Sequence, residues 1–205
     1  MLLSSPRLHQ LIDENVIDAL HENVNSASID IRIGNEILVE APAWQYQDLS
    51  GMAEAVPGVH AEPIDIAAKQ SPKFIKQIIP ETGLVIEPGQ CFLAHSVETF
   101  NLPNTISSQF VLRSTVARCF LEHMMAGWAD AGWHGAQLTM EFKNMNKYHR
   151  LLIKPGMRIG QMVFFEHEDV GDDSYAVKGN YNLQQGATQA YAGSGHTEEL
   201  NNEEA

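Results

Sequence analysis

The chain has 205 residues, with 13 lysines and arginines against 26 aspartates and glutamates and a formal net charge of −13. That excess of acid argues against a sequence-independent nucleic-acid binder, which must neutralise backbone phosphates with basic side chains. A small anion stays admissible, because a few cations and backbone N–H groups focused in one cleft can hold it.

The 44% hydrophobic and 19% charged content suits a folded chain rather than a disordered one, and the length suits a single domain. MLLSSPRLHQ lacks the apolar core of a secretory signal, and no apolar run approaches bilayer length. The expected setting is therefore cytoplasmic, with no membrane and no nucleic acid as partner. Cys91 and Cys119 are too few for a disulfide framework and lack metal-ligand spacing, so both are expected as reduced, buried thiols.

In chain order, Ser5 and Pro6 make a helix start, followed by Leu8, Leu11 and Ile12 at helical spacing. In SASIDIRIGN, Ile29, Ile31 and Ile33 alternate with Asp30, Arg32 and Gly34, the period of a half-buried strand, and Gly34-Asn35 is expected to end it as a turn. Residues 42–72 show weak periodicity and read as a long excursion without an assigned function. Beyond them FIKQIIP, GLVIEPGQCFLAHSV, ISSQFVLR, QLTMEFKN and HRLLIKPGMRIGQMVFF are short apolar segments separated by Pro-Gly or Asn turns. This pattern predicts an all-β barrel or double-sheet roll. One further helix is expected from Ser114 to Leu121, capped by Ser114. The domain is expected to span residues 1–192, followed by a flexible acidic tail, 193–205.

Three constellations carry chemistry. RSTVAR, Arg113 to Arg118, sets two arginines and two hydroxyls at a strand–helix junction, which suits a cluster of anionic oxygens; on spacing alone a capped surface helix with solvated arginines fits better. MAGWADAGWHG, Met125 to Gly135, offers glycines such as Gly127 for close backbone approach, tryptophan walls, and Asp130 to accept from a sugar hydroxyl. A turn with two core aromatics accounts for it equally well. In QLTMEFKN, alternation puts Glu141 on the polar face of a strand, where it is a solvated carboxylate unless that face lines a cleft. In a cleft it could shuttle protons.

Taken in order, these segments resemble the dCTP deaminase and dUTPase superfamily. SASIDIRIGN is similar to its early strand, IEPGQCFLA to its hairpin and RSTVAR to its phosphate motif. MAGWADAGWHG is similar to its nucleoside-binding turn, LTMEFKN to the strand with the catalytic glutamate, and KPGMRIGQMVF and YAVKGNYNLQQGAT to the last hairpin and the closing segment. The resemblance implies a mostly β fold, a distorted, dUTPase-like β-barrel with a few short helices, assembled as a homotrimer with sites at subunit interfaces. It implies that Arg113, Ser114, Thr115 and Arg118 hold phosphates and position water, with Arg118 reaching a neighbour's site. Asp130 would meet the deoxyribose 3'-hydroxyl, next to Gly127 in the same turn, and the backbone of Thr139, Met140 and Glu141 would read the base. Tyr175, Lys178 or Asn180, and Gln184, within a closing segment 171–192, would cover the triphosphate, with Tyr181 packing beneath it.

The implied reaction is hydrolytic deamination of dCTP to dUTP without zinc, with Glu141, Ser114 and Arg118 as the catalytic group and Mg2+ arriving on the triphosphate. The chain contains no Pro-Cys-x-x-Cys segment of the zinc deaminases. Two rivals remain: a dUTPase or bifunctional enzyme that releases dUMP, and a non-catalytic nucleotide-binding regulator on the same fold. The sequence departs from the family pattern in three places. One extra residue between Gly132-Trp133 and Glu141 predicts a β-bulge at 134–137; Asn180 replaces the usual lysine, and Ala131 a common proline.

Overall fold

Strand β1, Ile29–Glu40, is the seam of the molecule. Its first half pairs antiparallel with β10 (Arg158–Glu166), and its second half lies between β2 (Phe74–Ile78) and β4 (Cys91–Asn101). The computed structural model describes residues 1–41 and 62–190, so the tail 193–205 and most of the excursion lie outside the described residues. Around β1 the sheet curls into a half-barrel. With β5 (Ile106–Leu112), β6 (Leu121–His123), β7 (Trp128–Ala129) and β8 (His134–Asn144), its order is β6-β8-β4-β1-β10-β5-β7, and β2 pairs with β1 off that path. β3 (Leu84–Ile86) and β9 (Leu151–Ile153) form a separate ribbon. The mostly β, dUTPase-like barrel expectation is met.

Ile29, Ile31, Ile33 and Ile37 of β1 are fully buried and pack in the core with Phe92, Phe100, Phe142 and Phe164. Helix α1, Ser5–Asp13, closes one end of this core with Leu8 and Leu11. Its cap is Ser4, one residue before the expected start, with Pro6 in the first turn, where a missing N–H costs nothing. Two carboxylates are buried among the strands. Glu98, fully buried, meets Arg32 at 2.7 Å; Asp30, 2% exposed, has Arg158 at 3.4 Å and Arg113 at 3.6 Å. Burial pushes the Glu98 carboxyl up from the usual range, and hydrogen bonds from Arg32 oppose the shift.

Four local expectations are corrected, the first being the burial of the thiols, since Cys119 is exposed and Cys91 only partly buried. Gly34-Asn35 does not end β1; the strand runs on to Glu40, and the pair sits where the register against β4 slips between Ile33 and Ile37. The glycine serves a close approach instead. A Cβ at Gly34 would lie 2.0 Å from Cε1 of His95, whose ring packs against the backbone there. The helix at Ser114 covers only Ser114–Ala117 (α2), with Arg113 as cap, because Phe120 turns to φ 59 and Leu121 enters β6. A third helix, α3 (Tyr175–Lys178), follows Ser174, whose side chain caps the Ala176 N–H. Among the described residues no helix is long and apolar enough to cross a membrane.

Gly34→Ala should force the 7%-exposed His95 ring out of place and lower unfolding free energy by about 1–3 kcal/mol, as overpacking does. Urea titration checks this, and His95→Ala in the same chain should recover most of the loss.

Candidate active site

Alternation along β8 divides its side chains between two environments. Leu138, Met140 and Phe142 are buried, while Thr139 and Glu141 face a cavity of about 670 Å³. Cys91 and Leu93 of β4 contribute one wall, and Met124, Trp128, Asp130 and Trp133 another. Tyr175, Tyr181, Gln184 and Thr188 cover it. Gln70, Ser71 and Pro72, from the stretch read as carrying no function, also line it, as does Phe74. Among the described lining residues the only charged side chains are the carboxylates of Glu40, Asp130 and Glu141.

Glu141 is not a solvated carboxylate. Its side chain is 28% exposed, and Oε2 is turned inward, buried and without a hydrogen-bond partner. Burial raises its pKa above the usual carboxylate value. Nε2 of His123, equally buried and unpartnered, lies 3.5 Å from that oxygen. Burial pushes the imidazole down to about 4, so the contact is between a neutral ring and a carboxyl group rather than an ion pair.

The expected bulge is present. Phe100 pairs with Ala136 and Asn101 with His134, so Gly135 is the extra residue, at φ +62. A Cβ there would stand 2.5 Å from Leu183, which makes the bulge a seat for the C-terminal segment. From that seat the chain runs alongside β8. Gln185 donates to the Gly135 carbonyl at 2.8 Å, Gln184 to the Gln137 carbonyl at 2.7 Å, and the Gly186 N–H to Gln137 Oε1 at 2.8 Å. Thr188 donates to Gln184 Oε1 at 2.8 Å and meets Thr139 hydroxyl to hydroxyl at 3.0 Å. Higher in the segment, Trp133 Nε1 donates to the Tyr181 carbonyl at 2.9 Å, and the Tyr181 N–H donates to the Tyr175 hydroxyl at 3.3 Å.

The structure thus gathers Glu141, Thr139, Asp130, Tyr175, Tyr181 and Gln184 around one cavity. Asp130 is fixed there by Trp128, whose Nε1 donates to Oδ1 at 2.8 Å. The Met140 side chain is in the core, leaving only its backbone near the site. Gly127 packs against Phe110 and does not line the cavity. Lys178 pairs with Asp173 beside a smaller, adjoining pocket, and Asn180 lines neither. Arg113, Ser114, Thr115 and Arg118 all stand outside the cavity, Ser114, Thr115 and Arg118 on the surface and Arg113 turned toward Asp30. Sequence reasoning missed His123 and the Gln137–Gln184 clasp. The alternation of LEH, Leu121 and His123 inward around an exposed Glu122, was the available signal for the first.

The dCTP deaminase-like family profile matches residues 2–167. A protein of Sulfurihydrogenibium named "dCTP deaminase, dUMP-forming" is 33% identical over 195 residues, covering 92% of this chain and 95% of that protein. One from Actinobacillus pleuropneumoniae named "dCTP deaminase" is 29% identical over 172 residues, 80% of this chain and 82% of its own length. The crystal structure of 2'-deoxycytidine 5'-triphosphate deaminase from Agrobacterium tumefaciens shares the fold, with a TM-score of 0.57 at 19% identity. It covers 80% of this chain, which spans only 47% of that one.

Ending the chain after Val170 removes the cover but no strand of the sheet. Far-UV circular dichroism should keep its β signal, while Trp133, now 4% exposed and bonded to Tyr181, gains water and shifts the fluorescence to the red. Unchanged emission would show that the segment does not close the cavity.

Proposed function

The chain belongs to the dCTP deaminase-like family, and from that premise we propose that it deaminates dCTP by hydrolysis in the cytoplasm, with Glu141 carrying the protons. The observation that carries this reading is a carboxyl group of raised pKa at the wall of a roofed cavity. Glu141 takes a proton from water as the oxygen adds to C4 of cytosine, and delivers it to N3. A second proton transfer to the amino group lets ammonia leave, so dCTP and water become dUTP and ammonia. The raised pKa suits a group that must alternately hold and give up a proton near neutral pH.

A triphosphate needs cations, and the described cavity wall supplies none. The arginines of RSTVAR stand outside it, at the surface or turned away. This supports a homotrimer in which a neighbour's Arg118 and Ser114 complete each site. Phe120, Met124, Met125 and Trp128 are all large and at least 48% exposed, with Met124 and Trp128 lining the cavity, and suit a subunit contact. Mg2+ would enter with the triphosphate, neutralising phosphate charge while keeping several waters. The proposed route through Glu141 calls for no zinc.

A second reading has its own observation. Asp130, oriented by Trp128, lines the same cavity as Glu141, so one site could deaminate dCTP and then direct water at the triphosphate to leave dUMP and pyrophosphate. Product analysis with dCTP, dUTP and magnesium separates the two. Glu141→Gln should lower deamination by about a hundredfold to ten-thousandfold, the usual share of general acid–base catalysis, with dCTP binding largely kept. In the dUMP-forming case Asp130→Asn should abolish pyrophosphate release, while Glu141→Gln should spare release from added dUTP but not from dCTP, which has to be deaminated first. Near wild-type deamination by Glu141→Gln eliminates the mechanism.

A further inference from the structure

We propose that His123 is a positioning residue for Glu141, its Nε2–H donating to Oε2 so that the other carboxyl oxygen is presented to the cavity. The proposal rests on the reading of Glu141 as the proton carrier. Two buried polar atoms without partners face each other at 3.5 Å, and an unsatisfied buried group is costly. A shift of a few tenths of an ångström closes the pair into a hydrogen bond of ordinary length.

The imidazole cannot easily turn elsewhere. It is 3% exposed, with the Phe110 ring centroid at 4.7 Å and the Phe142 centroid at 5.6 Å, and Phe142 is its cross-strand partner. Kept neutral by burial, it brings one N–H and no charge, so it orients the carboxylate without holding it as an ion pair would. Burial disfavours the ionised form of Glu141, and a donor to that form acts in the opposite direction.

Other ionisable groups surround the pair. Lys143 lies two residues along the same face of β8, with Cys91 opposite it on β4 and Glu122 opposite it on β6. Glu40 and Asp130 line the cavity. Replacing His123 alters none of these, so a change in the titration of Glu141 reports the His123 contact. The sign follows from the required state. Glu141 must be ionised to accept a proton from water; losing the donor raises its pKa, and the acid limb of kcat moves to higher pH.

The test measures kcat and KM for dCTP across the acid limb in wild type, His123→Leu, His123→Gln and His123→Asn. Expected is a loss in kcat of about ten- to a hundredfold for His123→Leu, the scale of a hydrogen bond to a charged group, with KM little changed and the limb moved up. His123→Gln, whose amide reaches the place of Nε2, should restore most of kcat and return the limb, and the shorter His123→Asn should not. The Gln and Asn pair decides the matter even if the leucine variant fails to fold. An unmoved limb, or equal impairment in Gln and Asn, overturns the proposal and leaves His123 a packing residue. Glu141→Gln run alongside separates the two levels: if it stays active, the reading of Glu141 fails, and if it is inactive while the His123 variants are unaffected, only this proposal fails.

Discussion

Strand β8 has to satisfy core, cavity and C-terminal cover at once, and most of the site follows from how it does so. Its even-numbered residues from Leu138 to Phe142 sit in the core, which fixes the register against β4 and forbids a slip of one residue, since a slip would exchange the two faces. With that register fixed, Thr139 and Glu141 have no alternative to the cavity side. The bulge at Gly135 lies just upstream of this stretch, where it bends the strand and opens a place for Leu183 without disturbing the pairing of Leu93 with Glu141.

The cover is held by polar contacts, together with Leu183 over the Gly135 bulge and Tyr175 against the core. Gln137 accepts through its carbonyl and its side-chain oxygen, and Gln184 bridges Gln137 and Thr188. Each bond of this kind contributes about 0.5–1.5 kcal/mol net, so the segment can stay closed yet open without unfolding the sheet, as expected of a covering element drawn from the less stable part of a structure. Three residues assigned by resemblance to the nucleotide, Thr139, Gln184 and Tyr175, spend part of their hydrogen-bonding capacity on this cover in the single chain.

Charge explains the other half of the arrangement. A cavity walled by carboxylates repels a triphosphate, yet the proposed deamination places a carboxylate beside the base. The single chain keeps the two kinds of charge apart: Glu141 is partly buried beside a neutral imidazole, while Arg118 stands at the surface and Arg113 turns toward Asp30. The overall charge of −13 then matters less than where the few cations are.

Much of this was legible in the residues. Period-two alternation identified β1 and β8 and the face on which Glu141 lies, and Pro6 marked α1. An extra residue against the family spacing foretold a bulge that the structure places at Gly135. These are local properties, dictated by backbone geometry within a few residues. What the sequence could not decide is which distant groups meet. Gly34 reads as a turn until His95, from another strand, is found against it; Glu141 reads as solvated until His123 is found facing it across β6 and β8. The same limit hid the Gln137–Gln184 clasp and the separation of RSTVAR from the cavity. Only the curl of the sheet sets those distances, because it is the sum of twist and pairing over the whole strand order, and no single segment carries it.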